Sequence, residues 1–389
     1  MGVRWIWGVL AFVGLACSGS PGPLPPCDAG AEDRPICGLM NPEDIGFLPT
    51  RTWLVVSEMS PAADGDEGAA ERDQTGGDGA EATGGGPGRL TAIRRVDLEM
   101  RRLYPPSEDA ARPAAAADAD RRDPDWGHAD CPGPPDPDAF APHGIDVGRR
   151  PDGRHALAVV NHGGREAVEL FEIRGTLTPS LEWRGCVPML ADIITNDVAW
   201  MPDGGFVVTN FMPRLEGLGP RAVWTLSKIA VGAATGSVLR WTPGGELVEI
   251  ENSEGSAPNG IEASADGTEL FVAEWGGSSV YRLRLDVEGP PRRDAIALDH
   301  HPDNLTWTRD GQLLVAGQHG GLTAAMGCGS IRDVGCDLAY SVHVIGPVGL
   351  TARKLVEGRG AASVALEVGP EVFVGVFVGD QIMRVRTPD

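Results

Sequence analysis

Six times along this chain a short pattern returns: a polar or small pair followed by apolar residues at alternate positions. The copies are Glu43-Asp44-Ile45-Gly46-Phe47, His143-Gly144-Ile145-Asp146-Val147, Asn196-Asp197-Val198-Ala199-Trp200, Asn259-Gly260-Ile261-Glu262-Ala263, Asp303-Asn304-Leu305-Thr306-Trp307 and Ala362-Ser363-Val364-Ala365-Leu366. Alternation of this kind is the period of a half-buried strand. In the second to fifth copies an Asp-Gly pair follows, at Asp152-Gly153, Asp203-Gly204, Asp266-Gly267 and Asp310-Gly311. Asp-Gly between apolar alternations predicts a hairpin, with a type I′ turn that exploits positive φ. A Val-rich second strand then follows, as at Val159-Val160 and Val207-Val208. Sheet units that cannot bury their own faces and recur every 45 to 100 residues or so predict an all-β, six-bladed β-propeller.

Register carries the functional argument. Equivalent positions of a radial array point to equivalent places about its axis. Glu43, His143, Asn196, Asn259, Asp303 and Asn304 are therefore expected to converge at one mouth of the central channel. Asn and Asp also favour turns for local reasons, but that does not account for polar ligand-type residues in register in five copies of six.

The chain is long enough for the propeller to be one domain, residues 37–389. Its formal net charge is −22. With no basic stripe to neutralise phosphates, nucleic acid is excluded as a partner. Two stretches rich in Gly, Ala, Asp and Pro, 59–88 and 105–139, read as flexible low-complexity insertions. At the N-terminus Arg4 precedes an apolar run from Trp5 to Ala16, too short to span a bilayer. Residues 1–16 thus read as a signal peptide. Gly14-Leu15-Ala16-Cys17 resembles a bacterial lipoprotein signal, with Cys17 as the lipid-bearing residue and 17–36 as tether. Plain secretion with cleavage near Ala16 is the alternative. In either case the protein is extracytoplasmic, and a lipid on Cys17 would be its membrane contact. Beyond Cys17 six cysteines remain, which allow fifteen pairings. Cys328 and Cys336 are the nearest in sequence, and no CxxC spacing favours zinc.

The pieces Pro142-His143-Gly144-Ile145, Val159-Val160-Asn161-His162, Val168-Glu169-Leu170-Phe171, Asn196-Asp197, Asn259-Gly260-Ile261 and Asp303-Asn304-Leu305, in this order, resemble the paraoxonase/arylesterase family of calcium-dependent six-bladed propellers, within the wider gluconolactonase-like group. The resemblance runs from about Cys37 to Val385. It implies a catalytic calcium held by Glu43, Asn196, Asn259, Asp303 and Asn304. A second, structural calcium would fall on Asp44, Asp197 and the main-chain carbonyl of Ile145. Oxygen donors alone suit Ca²⁺ better than a soft metal. His143 and His162 are implied as the proton-transfer pair, with calcium polarising the carbonyl of a small-molecule lactone or aryl ester. The family's ring-closing disulfide has no partner near Val385, so strand pairing is expected to close the ring. Arg214 to Ala234 does not match the family's lid.

Of the other histidines, His300 and His301 precede the Asp303-Asn304 pair and His319 follows Gln318, so these could touch the rim. His128 falls in the second insertion, and His155 and His343 read as ordinary. No Gly-x-Ser-x-Gly elbow points to a serine hydrolase. The competing functional reading is a non-catalytic, calcium-stabilised binding propeller of the cell envelope.

Overall fold

A computed structural model describes residues 21–60, 87–106 and 123–387, other than positions 32, 124, 216 and 218. The signal segment, Cys17, most of the first insertion and the start of the second lie outside the described residues.

Six four-stranded antiparallel sheets are arranged in chain order. Blade I contains β2 (Pro42–Phe47), β3 (Trp53–Glu58), β4 (Arg89–Arg94) and β5 (Met100–Tyr104). Blade II contains β6 (Pro142–Arg149), β7 (His155–Asn161), β8 (Ala167–Arg174) and β9 (Ser180–Pro188). Blade III contains β10 (Ile193–Trp200), β11 (Phe206–Pro213), β12 (Ser237–Trp241) and β13 (Val248–Glu249). Blade IV contains β14 (Pro258–Ala263), β15 (Glu269–Glu274), β16 (Ser279–Arg284) and β17 (Arg292–Ala297). Blade V contains β18 (His301–Trp307), β19 (Leu313–Gln318), β20 (Ala339–Gly346) and β21 (Thr351–Arg359). Blade VI takes β22 (Ala361–Val368), β23 (Glu371–Val378) and β24 (Gln381–Arg386) from the C-terminus. Its fourth strand is β1 (Ile36–Cys37), paired through Ile36 with Ile382 and Cys37 with Gln381. Strand pairing therefore closes the ring.

The core lies between blades, because alternate side chains of one strand face opposite neighbours. In β7, Leu157 and Val159 pack toward blade I with Val55 and Leu90, whereas Ala156, Ala158 and Val160 pack toward blade III with Val208 and Trp241. Outermost strands are exposed and charged, as in β17 with Arg292, Arg293 and Asp294. Such charges on an open edge discourage pairing with another chain.

Several expectations need correction. The four Asp-Gly hairpins form, but their turns are not type I′. The amide of Gly153 donates to the carbonyl of Arg150, and that of Gly204 to Met201, with positive φ confined to the glycine of each Asp-Gly pair. This is a type I turn followed by a left-handed Gly and a bulge. Pro151 and Pro202 favour it, since their fixed φ suits the first central position.

The expected all-β, six-bladed propeller is the observed fold, and two short helices accompany its strands. Helices α1 (Pro220–Ala230) and α2 (Gly321–Cys328) follow β11 and β19. Ile229 of α1 and Leu322 and Ala325 of α2 meet Trp275, Phe211 and Met212 in one apolar cluster.

Part of the second insertion is packed: Trp126 is 1% exposed, and Cys131 is joined to Cys186 of β9. Composition understated this segment because one Trp and one disulfide anchor it. Residues 21–36 are likewise fastened to the propeller. Pro23 bridges Cys336, the amide of Leu24 donates to Gly335, and Cys27 is bonded to Cys37. The third disulfide joins Cys328 to Cys336. Three disulfides indicate an oxidising, extracytoplasmic setting.

Because the Cys131–Cys186 bridge closes a 55-residue separation, its loss frees considerable chain entropy in the unfolded state. The double variant C131A/C186A is expected to lose about 4 kcal/mol in urea unfolding.

Candidate functional site

In all six blades the ladder between the innermost strand and its neighbour breaks at the same place. The shift falls between Pro42 and Asp44, Pro142 and Ile145, Thr195 and Val198, Pro258 and Ile261, Pro302 and Leu305, and Ala362 and Val364. A bulge leaves residues out of the ladder and re-aims their side chains. The polar pairs sit on these bulges, which lets consecutive residues such as Glu43 and Asp44 both serve the axis. In four blades the residue before the pair is Pro, which has no amide to give to the ladder.

The sequence-predicted residues come together. Glu43, 1% exposed, accepts a 2.7 Å bond from Asn304 Nδ2 across 261 residues of chain, and its Oε1 lies 3.6 Å from His143 Nε2. Asp303 accepts from Gln318 Nε2, whose Oε1 accepts from Trp275 Nε1 at 2.9 Å. Asn259 also bonds Asp303, which burial and then the charge of Glu43 push up to about 8. Close approach of the blades requires glycine: a Cβ on Gly144 would lie 2.6 Å from Asp197 Cα, and one on Gly260 2.6 Å from Asn304 Cα.

Four buried oxygens in this group have no hydrogen-bond partner among the described residues: Glu43 Oε2, Asn196 Oδ1, Asn259 Oδ1 and Asn304 Oδ1. Leaving one buried acceptor unsatisfied costs on the order of 1–3 kcal/mol. Such oxygens at the bulges of blades I, III, IV and V, with Asn304 bonded to Glu43 and Asn259 to Asp303, have the donor chemistry of a hard divalent cation. These residues fit calcium on that test.

Asp44 and Asp197 occupy a second layer. Asp44 accepts from the amides of Ile45 (2.7 Å) and Ile145 (2.8 Å), and Asp197 from those of Val198 and Ile261 (both 2.8 Å). Each carboxylate thus staples its own blade to the next. Burial raises both pKa values, and the charge of Glu43 on Asp44 and of Asp44 on Asp197 raises them further. Ile145 joins this layer through its amide. The sixth copy contributes no ligand: Ser363 Oγ instead donates to the carbonyl of Glu43 at 2.6 Å.

The two histidines are in contact, His143 Nδ1 standing 2.8 Å from His162 Nε2. His162 lies one residue past β7, whose last paired position is Asn161. Its Nδ1 is 3.0 Å from both oxygens of Glu166. Glu166 accepts in turn from the Thr195 amide at 2.8 Å, Thr195 Oγ1 at 2.6 Å and Arg214 at 2.7 Å. Burial opposes ionisation of Glu166, but His162 and the Thr195 bonds outweigh it and take the carboxyl down to about 2. This network links the tautomers. If His162 donates Nδ1–H to Glu166 it accepts at Nε2 from His143 Nδ1–H, while His143 Nε2 faces the Glu43 carboxylate. Burial lowers the basicity of His143, but the charges of Glu43, Asp303 and Asp44 raise it overall.

Glu166, Arg214 and Gln318 escaped the sequence reading. Glu166 stands alone in a loop, off the repeat register, and its spacing of four from His162 carries no periodic signal. Of the remaining histidines, His301 reaches the rim, stacking on Trp275 with centroids 4.6 Å apart.

A family profile described as the SMP-30/Gluconolactonase/LRE-like region matches residues 148–327. Comparison with curated proteins returned no match. Among solved structures, XC5397 of Xanthomonas campestris, a gluconolactonase, is 14% identical, with 96% of this chain and 99% of that one covered and a TM-score of 0.49. A luciferin-regenerating enzyme is 12% identical, covering 90% and 92%, TM-score 0.49. Regucalcin of Agrobacterium tumefaciens, a calcium-binding protein, is 14% identical over 92% of each chain, TM-score 0.45.

Since Glu166 titrates lower in the folded protein than its usual 4.5, its contribution to stability is complete above about pH 4.5 and fades as pH falls toward 2. Unfolding free energies measured across that window should drop by about 3 kcal/mol from this group in the native chain. In Glu166→Gln that component should be missing.

Proposed function

We propose that this propeller, whose residues 148–327 are similar to the SMP-30/Gluconolactonase/LRE-like region, is a calcium-dependent hydrolase of lactones or aryl esters acting outside the cytoplasm. The observation that supports this most is the set of four buried oxygens without a hydrogen-bond partner among the described residues, one of them on Glu43, which faces His143 of the histidine pair.

In this reading Glu43, Asn196, Asn259, Asp303 and Asn304 hold a calcium ion, which would supply Lewis-acid polarisation of the substrate carbonyl. His143 Nε2 takes a proton from water as the water oxygen attacks the carbonyl carbon. His162 steadies the imidazolium through Nδ1–H of His143, and Glu166 holds His162 in the tautomer that can accept. The same proton then goes to the departing alkoxide or phenoxide oxygen as the C–O bond breaks, leaving a carboxylic acid. A positioned base of this kind contributes about 10²–10⁴ in rate. A second calcium on Asp44, Asp197 and the Ile145 carbonyl would relieve carboxylates that burial and mutual repulsion disfavour as anions. Lipidation of Cys17, or secretion after Ala16, would deliver the propeller to the envelope or beyond.

A second reading, a binding propeller without chemistry, draws on the exposed Val223 and Trp224 of α1, which could form a contact surface. Phenyl acetate and a series of lactones separate the two. Chelation should abolish turnover and added Ca²⁺ restore it, while His143→Gln should lose at least about 100-fold in kcat/KM. Turnover indifferent to both treatments would sink the hydrolase. Asn259→Ala should abolish activity on the first reading and only weaken the fold on the second.

A further inference from the structure

Blade V carries a second convergence of ligand-type side chains, apart from the axial site. His300 lies just before β18, His343 lies in the middle of β20, and Asp299 precedes them at the surface. The two imidazoles stack, 4.6 Å between centroids and 18° between planes. One carboxylate oxygen, Asp299 Oδ1, stands 3.4 Å from His300 Nδ1 and 3.4 Å from His343 Nε2. Both distances are long for an N–H···O bond, whose usual length is about 2.9–3.0 Å. They match instead the edge of a tetrahedron about a zinc-sized ion, roughly 3.3–3.4 Å for bonds of about 2.0–2.1 Å.

The surroundings favour the ligand form of both rings. Their side chains are 0% and 8% exposed. Burial drives His300 down to about 3 and lowers His343, so both are neutral near pH 7. Gly317 faces this imidazole with no side chain of its own, and a Cβ there would collide with the His300 ring. His300 also faces the His319 ring, 6.1 Å between centroids. Asp299, in contrast, is 56% exposed, which leaves a coordination position open to solvent. The neighbouring groups are Lys354, 3.1 Å from Asp299 Oδ2 and 3.3 Å from Glu357, and His319, hydrogen-bonded at 2.8 Å to Ser341. Lys354 occupies the other carboxylate oxygen, so an ion on Oδ1 would share the anion with it.

We propose that Asp299, His300 and His343 form a site for a borderline transition-metal ion such as Zn²⁺, separate from the oxygen-only cluster at the axis. Two imidazoles and one carboxylate select zinc, cobalt or copper over calcium, so the two sites would sort their ions by donor type.

The test titrates purified full-length protein with Zn²⁺ in saturating Ca²⁺, with Co²⁺ as a spectroscopic substitute. One zinc per chain should bind with a dissociation constant in the micromolar range or below, and Co²⁺ should give visible bands of a low-coordinate nitrogen–oxygen site. His343→Gln and Asp299→Asn should each weaken zinc binding at least tenfold and bleach those bands. Calcium stoichiometry should be unchanged in both. Should His343→Gln perturb folding, the surface variant Asp299→Asn still decides, because an exposed carboxamide leaves the core intact. Zinc held no tighter than millimolar, zinc displaced by calcium, or unaltered binding in Asp299→Asn would each overturn the assignment. None of these readouts depends on ester or lactone turnover.

Discussion

A ring of sheets brings its inner strands to one axis, and anions placed there lose the separation and solvation that a surface would give them. Glu43, Asp44, Asp146, Asp197, Glu262 and Asp303 all belong to inner strands. Burial and then mutual repulsion raise Asp44, Asp197, Glu262 and Asp303, and burial takes Asp146 to about 6. Glu262 feels Asp146 and Asp44 although its blade adjoins neither of theirs, so the repulsion acts across the channel. Such an arrangement is unfavourable unless something compensates it. Two kinds of compensation are visible in the fold. Backbone amides satisfy Asp44 and Asp197, and the remaining oxygens around Glu43 are left in the grouping a hard cation would accept.

The fold was legible because its signal repeats. Six copies of a polar pair before alternating apolar residues, with Asp-Gly following four of them, left little besides a propeller. The same register argument put Glu43, His143, Asn196, Asn259, Asp303 and Asn304 at equivalent bulged positions, since radial repetition converts sequence position into angle about the axis. What it could not reach were one-off residues. Glu166 orders the histidine pair from a loop between β7 and β8, and Arg214 arrives from the end of β11. Gln318 orients Asp303 from within the ladder. Each makes its contact through a single tertiary approach with no period to betray it. Turn chemistry was misread for a related reason: Pro151 and Pro202, immediately before Asp-Gly, already favoured the three-residue turn, but the dipeptide dominated the reading. Residues 123–139 were misjudged because average composition hides one anchoring Trp and one cysteine.

Ring closure and the mouth of the site share covalent support. Cys37 ends β1, the strand that completes blade VI, and its bond to Cys27 holds the chain that runs back to Pro23 and Leu24. Those two residues meet Cys336 and Gly335, in the loop that Cys328–Cys336 pins beside α2. The N-terminal segment, the last blade and the α2 loop are thus fastened to one another, so closure of the ring and the shape of the mouth are tied to the same bridges.

The bulge shared by the six inner strands also bears on how such a protein can diversify. Because every inner strand leaves its ladder near the pair whatever the pair contains, substitutions there can turn a blade from a donor into a bystander while its hairpin remains. Blade VI, with Ala362-Ser363, is in that second condition and spends its serine on supporting a neighbour's main chain. Selectivity for ion and substrate can in this way drift blade by blade while the ring itself stays fixed.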